Sequence, residues 1–200
     1  MSCPPIFYIN LDKRPDRRTQ VEHALAGFAY ERFPAIEHSN GYVGCVESHI
    51  QCLEMARDRG FPEVMIVEDD LEWVTPNPHR VVETLMALPF DVAVLCPVLD
   101  PRIVPKRIHP LFVTRTNSQT ALAYICRQSY YDTLISNFRE GLAHLQRGGA
   151  EESCVIDQFW KKLQGGENWI HANPTLGKQR AGLSDILHRE VNYDWAYLRR

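Results

Sequence analysis

Several features that would place a protein in a special class are missing from this 200-residue sequence. No apolar run approaches the roughly 20 residues that a membrane-spanning helix needs. Residues 1–5 carry neither basic side chains nor a long apolar core, so we expect no signal peptide. The formal net charge of −3 provides no basic field for nucleic acid. These absences predict a soluble, cytoplasmic protein with at most peripheral membrane contact and no nucleic-acid partner.

Cysteine pairs are also missing. The six cysteines are scattered, without a Cys-x-x-Cys motif, at Cys3, Cys45, Cys52, Cys96, Cys126 and Cys154. Several lie in apolar stretches, which is typical of reduced, buried thiols in a cytosolic compartment. Cys45, His49 and Cys52 share one predicted helical face, which is compatible with zinc. A fourth ligand is missing, however, and a buried thiol beside a histidine is the commoner arrangement.

The most informative stretch is residues 64–70, where four apolar residues run directly into three acids. Such an apolar run is typical of a strand buried on both faces, but unpaired carboxylates are too costly to bury with it. We therefore expect the strand to end at a cleft, the usual ligand position beyond the carboxyl ends of strands in open α/β sheets. Clustered carboxylates favour Mg²⁺ or Mn²⁺, which keep substrate phosphates in their coordination shell.

Three alternative interpretations of these acids differ in strength. A receiver domain of two-component signalling would need an aspartate where Cys96 stands. A phosphatase of the haloacid-dehalogenase type would need Glu68 to replace an aspartate nucleophile, although its side chain is one methylene longer. The third alternative, in which residues 68–70 only cap the following segment, stays open on this stretch alone.

Strand-like and helix-like patterns alternate along the chain. Strands are predicted at 6–11, 64–67, 91–95, 111–113, 120–125 and 169–171, with an extended piece at 28–36, and helices at about 16–27, 43–59, 78–86, 128–145 and 155–163. The alternation predicts an α/β fold with a mainly parallel central sheet. The proline-rich, basic segment 97–110 is expected to be a loop or lid, followed near the end by a proline-punctuated tail. The length favours one domain spanning 1–200.

Three blocks of sequence resemble glycosyltransferase family 25, which includes lipopolysaccharide and collagen glycosyltransferases. They are residues 8–17 (YINLDKRPDR), 44–49 (GCVESH) and 66–70 (IVEDD). Weaker similarities follow at 120–125, 156–159 and 179–186, in the same order and at approximately the same spacing. One departure is residues 41–44 (GYVG), which lack the acid that the family usually has after the first glycine.

The resemblance implies a Rossmann-like fold of the GT-A type, with helices on both faces of the sheet. Residues 1–96 would form the half that binds the nucleotide sugar and metal, and 97–200 the acceptor half and tail. It also implies a Mn²⁺- or Mg²⁺-dependent, inverting transfer of galactose or glucose from a UDP-sugar, as in lipopolysaccharide biosynthesis. The acceptor would be a glycan, lipid-linked or protein hydroxyl. The alternative is a catalytically degenerate protein of the same fold that binds a nucleotide sugar or glycan.

On this basis the acids after the strand receive separate roles. Asp70, the outermost, is the predicted direct metal ligand. Glu68 would contact the ribose, or the metal through a water molecule, and Asp69 would orient a neighbour or the donor sugar.

Other candidate donor-binding residues precede these acids. Asn10 and Leu11 end the first strand, where they would hold the base or ribose. Arg17 and Arg14 are candidates for the donor phosphates, because a guanidinium suits phosphate geometry. Ser48 and His49 are expected to buttress the cleft or to form hydrogen bonds with the donor.

The candidate catalytic base lies in the second half of the chain. Asp157 is the first choice, and Asp185 is the reserve, with acceptor or metal binding as its other candidate roles. His171 and His188 are candidates for a further metal ligand, and an ordinary surface histidine is the simpler interpretation. Large aromatic side chains expected in the core, one of them stacking on a sugar, are Trp73, Trp160 and Trp169.

Overall fold

The computed structural model describes residues 3–166 and 168–197. Within these residues the strands are β1 (Ile6–Asn10), β2 (Tyr30–Pro34), β3 (Glu63–Glu68), β4 (Leu71–Trp73), β5 (Val92–Val94), β6 (Val98–Leu99), β7 (Lys106–His109), β8 (Phe112–Thr114), β9 (Ser118–Gln119), β10 (Ala123–Arg127), β11 (Trp169–Ala172), β12 (Gly177–Gln179), β13 (Gly182–Ser184) and β14 (Arg189–Val191). The α-helices are α1 (Pro15–Ala24), α2 (Gly41–Asp58), α3 (Pro78–Met86), α4 (Tyr131–Gln146), α5 (Glu151–Cys154), α6 (Ile156–Phe159) and α7 (Asp194–Tyr197).

The central sheet has eight strands in the order β2-β1-β3-β10-β5-β11-β8-β7. Six of them run in one direction, while β10 and β8 run antiparallel to their neighbours. The predicted mainly parallel α/β sheet is therefore confirmed. The carboxyl ends of β1 and β3 lie side by side, because these two strands are parallel partners with Ile9 opposite Glu68.

Helices cover both faces of this sheet, as predicted. Successive side chains of β1 point to opposite sides, so that Phe7 packs in one apolar core with α2 and α4, and Tyr8 packs in another with α1 and α3. The long buried face of α2 follows the predicted apolar spacing, and its N-terminus is capped by Asn40, whose side chain accepts hydrogen bonds from two backbone amides.

The expectation that segment 97–110 forms a loop or lid was wrong. Segment 97–110 contains β6 and β7, and β7 forms an edge of the central sheet by pairing with β8. The tail is also regular: β12 pairs with β4, and β13 pairs with β14 as a hairpin. Most side chains of β7 and β14 are exposed, so neither strand carries the apolar alternation by which a strand is recognised in sequence.

The expectations for the tryptophans and the two histidines were partly right. Trp160 and Trp169 are fully buried core residues, while Trp73 is partly buried and donates its Nε1–H to the Ala24 carbonyl. His171 is fully buried on β11, so the surface interpretation was wrong for this residue. Burial lowers the pKa of His171 to about 3, which keeps the ring neutral. His188 is exposed in the β13–β14 hairpin.

Across the described ranges, every helix falls short of the length or the apolar character that crossing a membrane requires.

Candidate active site

A cavity of about 460 Å³ opens at the carboxyl ends of β1 and β3. Its walls come from the acids after β3, the first half of α2, residues 119–121, the start of α6, and the chain from β13 to α7. This is the position in an open α/β sheet at which ligands bind. The cavity therefore brings together segments from both halves of the chain.

Asp69 and Asp70 both contact the guanidinium of Arg17, but they differ in how many of their carboxylate oxygens have hydrogen-bond partners. Arg17 Nη1 lies 3.1 Å from Asp69 Oδ1 and 3.4 Å from Asp70 Oδ2. Asp69 Oδ2 accepts a second hydrogen bond, of 2.7 Å, from Asn10 Nδ2. Both oxygens of Asp69 are thus held by protein donors, which suits an orienting role.

Asp70 keeps one unpartnered oxygen. Its Oδ2 accepts a hydrogen bond from Gln179 Nε2 at 3.1 Å, but the buried Oδ1 has no hydrogen-bond partner among the described residues. Burial, followed by repulsion from the Glu68 carboxylate, raises the pKa of Asp70 from its usual 3.8 to about 7. A buried carboxylate oxygen without a donor is costly, and a bound cation would offset that cost.

Glu68 is held from the side of α2. Its Oε1 lies 3.3 Å from His49 Nε2 and 3.9 Å from Cys45 Sγ. The other ring nitrogen of His49, Nδ1, lies 3.1 Å from the Tyr124 hydroxyl. His49 and Tyr124 are both fully buried, so this chain of contacts fixes the Glu68 carboxylate against α2. His49 also lines the cavity directly.

Asp157 faces the same cavity from α6. Its Oδ2 accepts a hydrogen bond of 3.0 Å from the backbone N–H of Thr120, which adopts an unusual positive φ of 77°. Burial raises the pKa of Asp157, and the Thr120 amide partly opposes this by stabilising the charged form. The result is an oriented carboxylate with an increased affinity for protons.

Asp185 lines the cavity but is already paired. Arg14 donates from Nη1 to Asp185 and to the Leu183 carbonyl, while its other side-chain nitrogens donate to Asp16. Arg17 Nη2 donates to the same Leu183 carbonyl at 2.7 Å. The two arginines therefore attach β13 to the start of α1, and Arg17 alone of the pair lines the cavity. Their roles at the donor phosphates stay predictions.

The remaining predicted residues lie at different depths. Leu11 lines the cavity, whereas Asn10 is buried behind the wall of the cavity. The side-chain amide of Asn10 accepts a hydrogen bond from Arg32 and donates one to Asp69. The Ser48 hydroxyl accepts from Ile36 N at 2.9 Å and donates to Gly44 O at 2.7 Å. These bonds join the start of α2 to the segment after β2, so Ser48 buttresses the wall of the cleft.

Three residues at this site were not singled out from the sequence as site residues. Gln179 and Thr120 donate to the two key aspartates, and Tyr124 contacts His49. The only sequence signal for them is that they fall within the weakly similar blocks 120–125 and 179–186.

Comparison with solved structures identifies the architecture. A glycosyltransferase involved in the glycosylation of the major capsid of PBCV-1 aligns with a TM-score of 0.53 at 7% identity, covering 84% of this chain and 81% of that one. The fold is of the GT-A type. More distant alignments are with A197 from STIV (TM-score 0.45, 11% identity, 94% and 93% coverage) and mannose-1-phosphate geranyltransferase from Thermus thermophilus (0.44, 10%, 86% and 74%).

No protein-family model matches the sequence, and no curated protein does so either. At 7% identity the structural alignment identifies the fold alone.

Proposed function

We propose that this protein is a metal-dependent glycosyltransferase similar to family 25. It would transfer a hexose, galactose or glucose, from a UDP-sugar to a hydroxyl of a glycan, lipid-linked or protein acceptor, with inversion. The observation that supports this most directly is the buried, unpartnered Oδ1 of Asp70, beside Glu68, at the mouth of a GT-A fold. The proposed division into a donor half (1–96) and an acceptor half (97–200) agrees with acids from both halves lining one cavity.

The donor set fits a hard divalent cation. Asp70 and Glu68 offer carboxylate oxygens, the ligands that Mn²⁺ and Mg²⁺ prefer, and each of these cations usually keeps water and substrate phosphate in its shell. The free Oδ1 of Asp70 and the raised pKa of this carboxyl are both what a site built around a positive charge would show without it. When bound, the cation would neutralise charge that develops on the leaving diphosphate.

The residues around these ligands would hold them in place and leave the donor side open. Asn10 and Arg17 fix Asp69, and through it the turn that carries Asp70. His49, supported by Tyr124, fixes Glu68. Such outer partners orient metal ligands and usually matter almost as much as the ligands themselves.

Asp157 is the proposed general base. Inversion requires a single direct displacement, so one carboxylate must accept the proton of the acceptor hydroxyl while the leaving group departs on the opposite side. The Thr120 amide holds one oxygen of Asp157, and the raised pKa of this carboxyl brings its basicity closer to neutral pH. Asp185 is a weaker candidate, because its carboxylate is already engaged in an ion pair with Arg14.

The experiment is UDP release from UDP-galactose and UDP-glucose with Mn²⁺ or EDTA, with nucleotide binding measured by calorimetry. We expect Mn²⁺-dependent UDP release that Asp70→Asn abolishes together with metal-dependent UDP binding. Asp157→Asn should retain UDP–Mn²⁺ binding and lose roughly 10²- to 10⁴-fold in rate. Asp132→Asn, a change at an exposed carboxylate of α4, is the matched control and should behave as wild type.

Each outcome separates the two functions under consideration. Metal-dependent UDP binding without UDP release or transfer to any acceptor would favour the binding protein over the enzyme. UDP binding that is unchanged in Asp70→Asn would contradict the metal site, and full activity in Asp157→Asn would contradict the assignment of the base.

A further inference from the structure

A second group of potential metal ligands lies beside the proposed donor site. Cys45 and His49 are four residues apart on α2, so their side chains project from the same face of the helix. Together with Glu68 they place one sulfur, one nitrogen and one oxygen atom within 4.8 Å of one another. All three residues line the cavity, which provides an entry path for an ion.

The distances are close to those of a tetrahedral zinc site. With Zn–N and Zn–O near 2.0 Å and Zn–S near 2.3 Å, tetrahedral geometry requires about 3.3 Å between nitrogen and oxygen and about 3.5 Å between sulfur and oxygen. The observed separations are 3.3 Å for His49 Nε2 to Glu68 Oε1 and 3.9 Å for Cys45 Sγ to Glu68 Oε1. The third separation, between Cys45 Sγ and the His49 nitrogen, is within 4.8 Å, where tetrahedral geometry requires about 3.5 Å.

The histidine is already supported in the way that zinc-ligating histidines are. Such a residue normally donates its second ring N–H to an oxygen, which fixes the tautomer and the ring orientation. The Tyr124 hydroxyl stands 3.1 Å from His49 Nδ1, and the two rings stack with centroids 5.7 Å apart. Without a metal, Nε2–H donates to Glu68; with zinc bound, the ring proton would stand on Nδ1 toward Tyr124 and the lone pair of Nε2 would be free to bind the ion.

We propose that Cys45, His49 and Glu68 form a binding site for a borderline-soft divalent ion, Zn²⁺ in particular, with the fourth position open to the cavity. This set differs in chemistry from the all-oxygen pair Glu68 and Asp70, because thiolate and imidazole select zinc over Mn²⁺. Cys52, although on the same predicted face, is not one of the three clustered ligands. On binding, the Cys45 thiol would release its proton to the solvent and bind as the thiolate.

Glu68 belongs to both ligand sets, and this has a consequence that rests on the proposed function. A carboxylate engaged with zinc on the α2 side is less available to a cation on the Asp70 side. Zn²⁺ should therefore oppose Mn²⁺-supported UDP binding and transfer, with Glu68 as the point of conflict.

The direct test uses Co²⁺ as a spectroscopic probe for the zinc site, since a Co²⁺–thiolate bond gives a strong charge-transfer absorption. We expect one equivalent of Co²⁺ to produce this band in the metal-free protein and one equivalent of Zn²⁺ to abolish it. Cys45→Ser should lose the band. The control is Cys3→Ser, which changes a partly exposed thiol that packs against the other apolar core, and it should retain the band.

A second variant tests the supporting role of Tyr124. Tyr124→Phe keeps the buried ring and removes only the hydroxyl, so it should fold and lose about 10- to 100-fold in Zn²⁺ affinity.

Absence of the Co²⁺–thiolate band in wild type, or its loss in Cys3→Ser but not in Cys45→Ser, would overturn the proposal. Because these readouts need no sugar transfer, their failure is distinguishable from failure of the proposed function. If Mn²⁺-dependent UDP binding is equal with and without Zn²⁺, the competition between the two ions for Glu68 is wrong, while the zinc site itself is unaffected.

Discussion

Replacing Asp70 by asparagine should make the metal-free protein more stable above neutral pH. Asp70 Oδ1 is buried without a partner among the described residues, and Glu68 and Asp69 add negative charge that Arg17 only partly offsets. A pKa raised from 3.8 to about 7 corresponds to about 4 kcal/mol against the ionised form in the folded state. Since the folded pKa lies above the unfolded one, the stability that the protonated group contributes is complete below about pH 4 and is lost as the pH rises through about 7.

The expected gain is smaller than this difference. An asparagine can keep its oxygen toward Arg17 and Gln179, and its Nδ2 then takes the place of the buried Oδ1, where an unsatisfied N–H costs about 1–3 kcal/mol. The net increase in unfolding free energy should be about 1–3 kcal/mol at about pH 8.5 in EDTA, and close to zero at about pH 5. Saturating Mn²⁺ with UDP should offset most of this gain or reverse it, because a ligand at 100 times its Kd adds about 2.7 kcal/mol to the stability of the wild type alone.

Urea unfolding followed by circular dichroism at about pH 5, 7 and 8.5, with EDTA or with Mn²⁺ and UDP, measures these differences. Asp132→Asn, at an exposed carboxylate, controls for the loss of one negative charge. The reasoning is refuted if Asp70→Asn is less stable than wild type at the highest pH in EDTA, or if Mn²⁺ and UDP stabilise both proteins equally.

Three further predictions concern the walls of the cleft and the base. Gly44→Ala would place a Cβ 2.3 Å from the Ile36 carbonyl oxygen and should cost about 1–3 kcal/mol in urea unfolding, whereas Gly166→Ala, with open space around it, should cost far less. Ser48→Ala leaves the Ile36 N–H without its acceptor and should cost about 1–3 kcal/mol in the same assay. Because burial raises the pKa of Asp157, the transfer rate should fall with decreasing pH through a value above 3.8, and residual activity in Asp157→Asn should lack this limb.

The parts of the fold that could be predicted are the strands and helices whose own sequence shows the spacing of apolar residues typical of that element. β1 and β3 are apolar because both faces of each strand are covered, and α2 shows its buried face at helical spacing. β7 escaped prediction because it is an exposed edge strand that exists through its pairing with β8. The hairpin β13–β14 likewise depends on Arg14 and Arg17, which bind Leu183 from the far end of the chain.

In the candidate site, too, some residues could be recognised from their local sequence and others could not. The acids 68–70 could be found because a charge cannot follow a buried strand without a cleft or a partner. Their supporting contacts could not, because Gln179 is 109 residues from Asp70 and Tyr124 is 75 residues from His49. No local pattern specifies such pairs; they follow from the order in which the strands enter the sheet.

The environments of Asp70 and Asp157 also separate the two tasks that sugar transfer requires. Both carboxyls line one cavity and both have raised pKa values from burial. Asp70 lies beside Glu68 and Asp69. A cation bound at this acidic turn would stabilise the charged form of Asp70, which would then serve as a ligand. Asp157 lies on α6, where the Thr120 backbone amide holds one oxygen; repulsion from Glu68 adds to the raised pKa of this carboxyl, and the charge of Lys161 opposes it. In the proposed transfer, a cation would hold the first carboxyl in its charged form as a ligand, and the second would accept the proton of the acceptor hydroxyl.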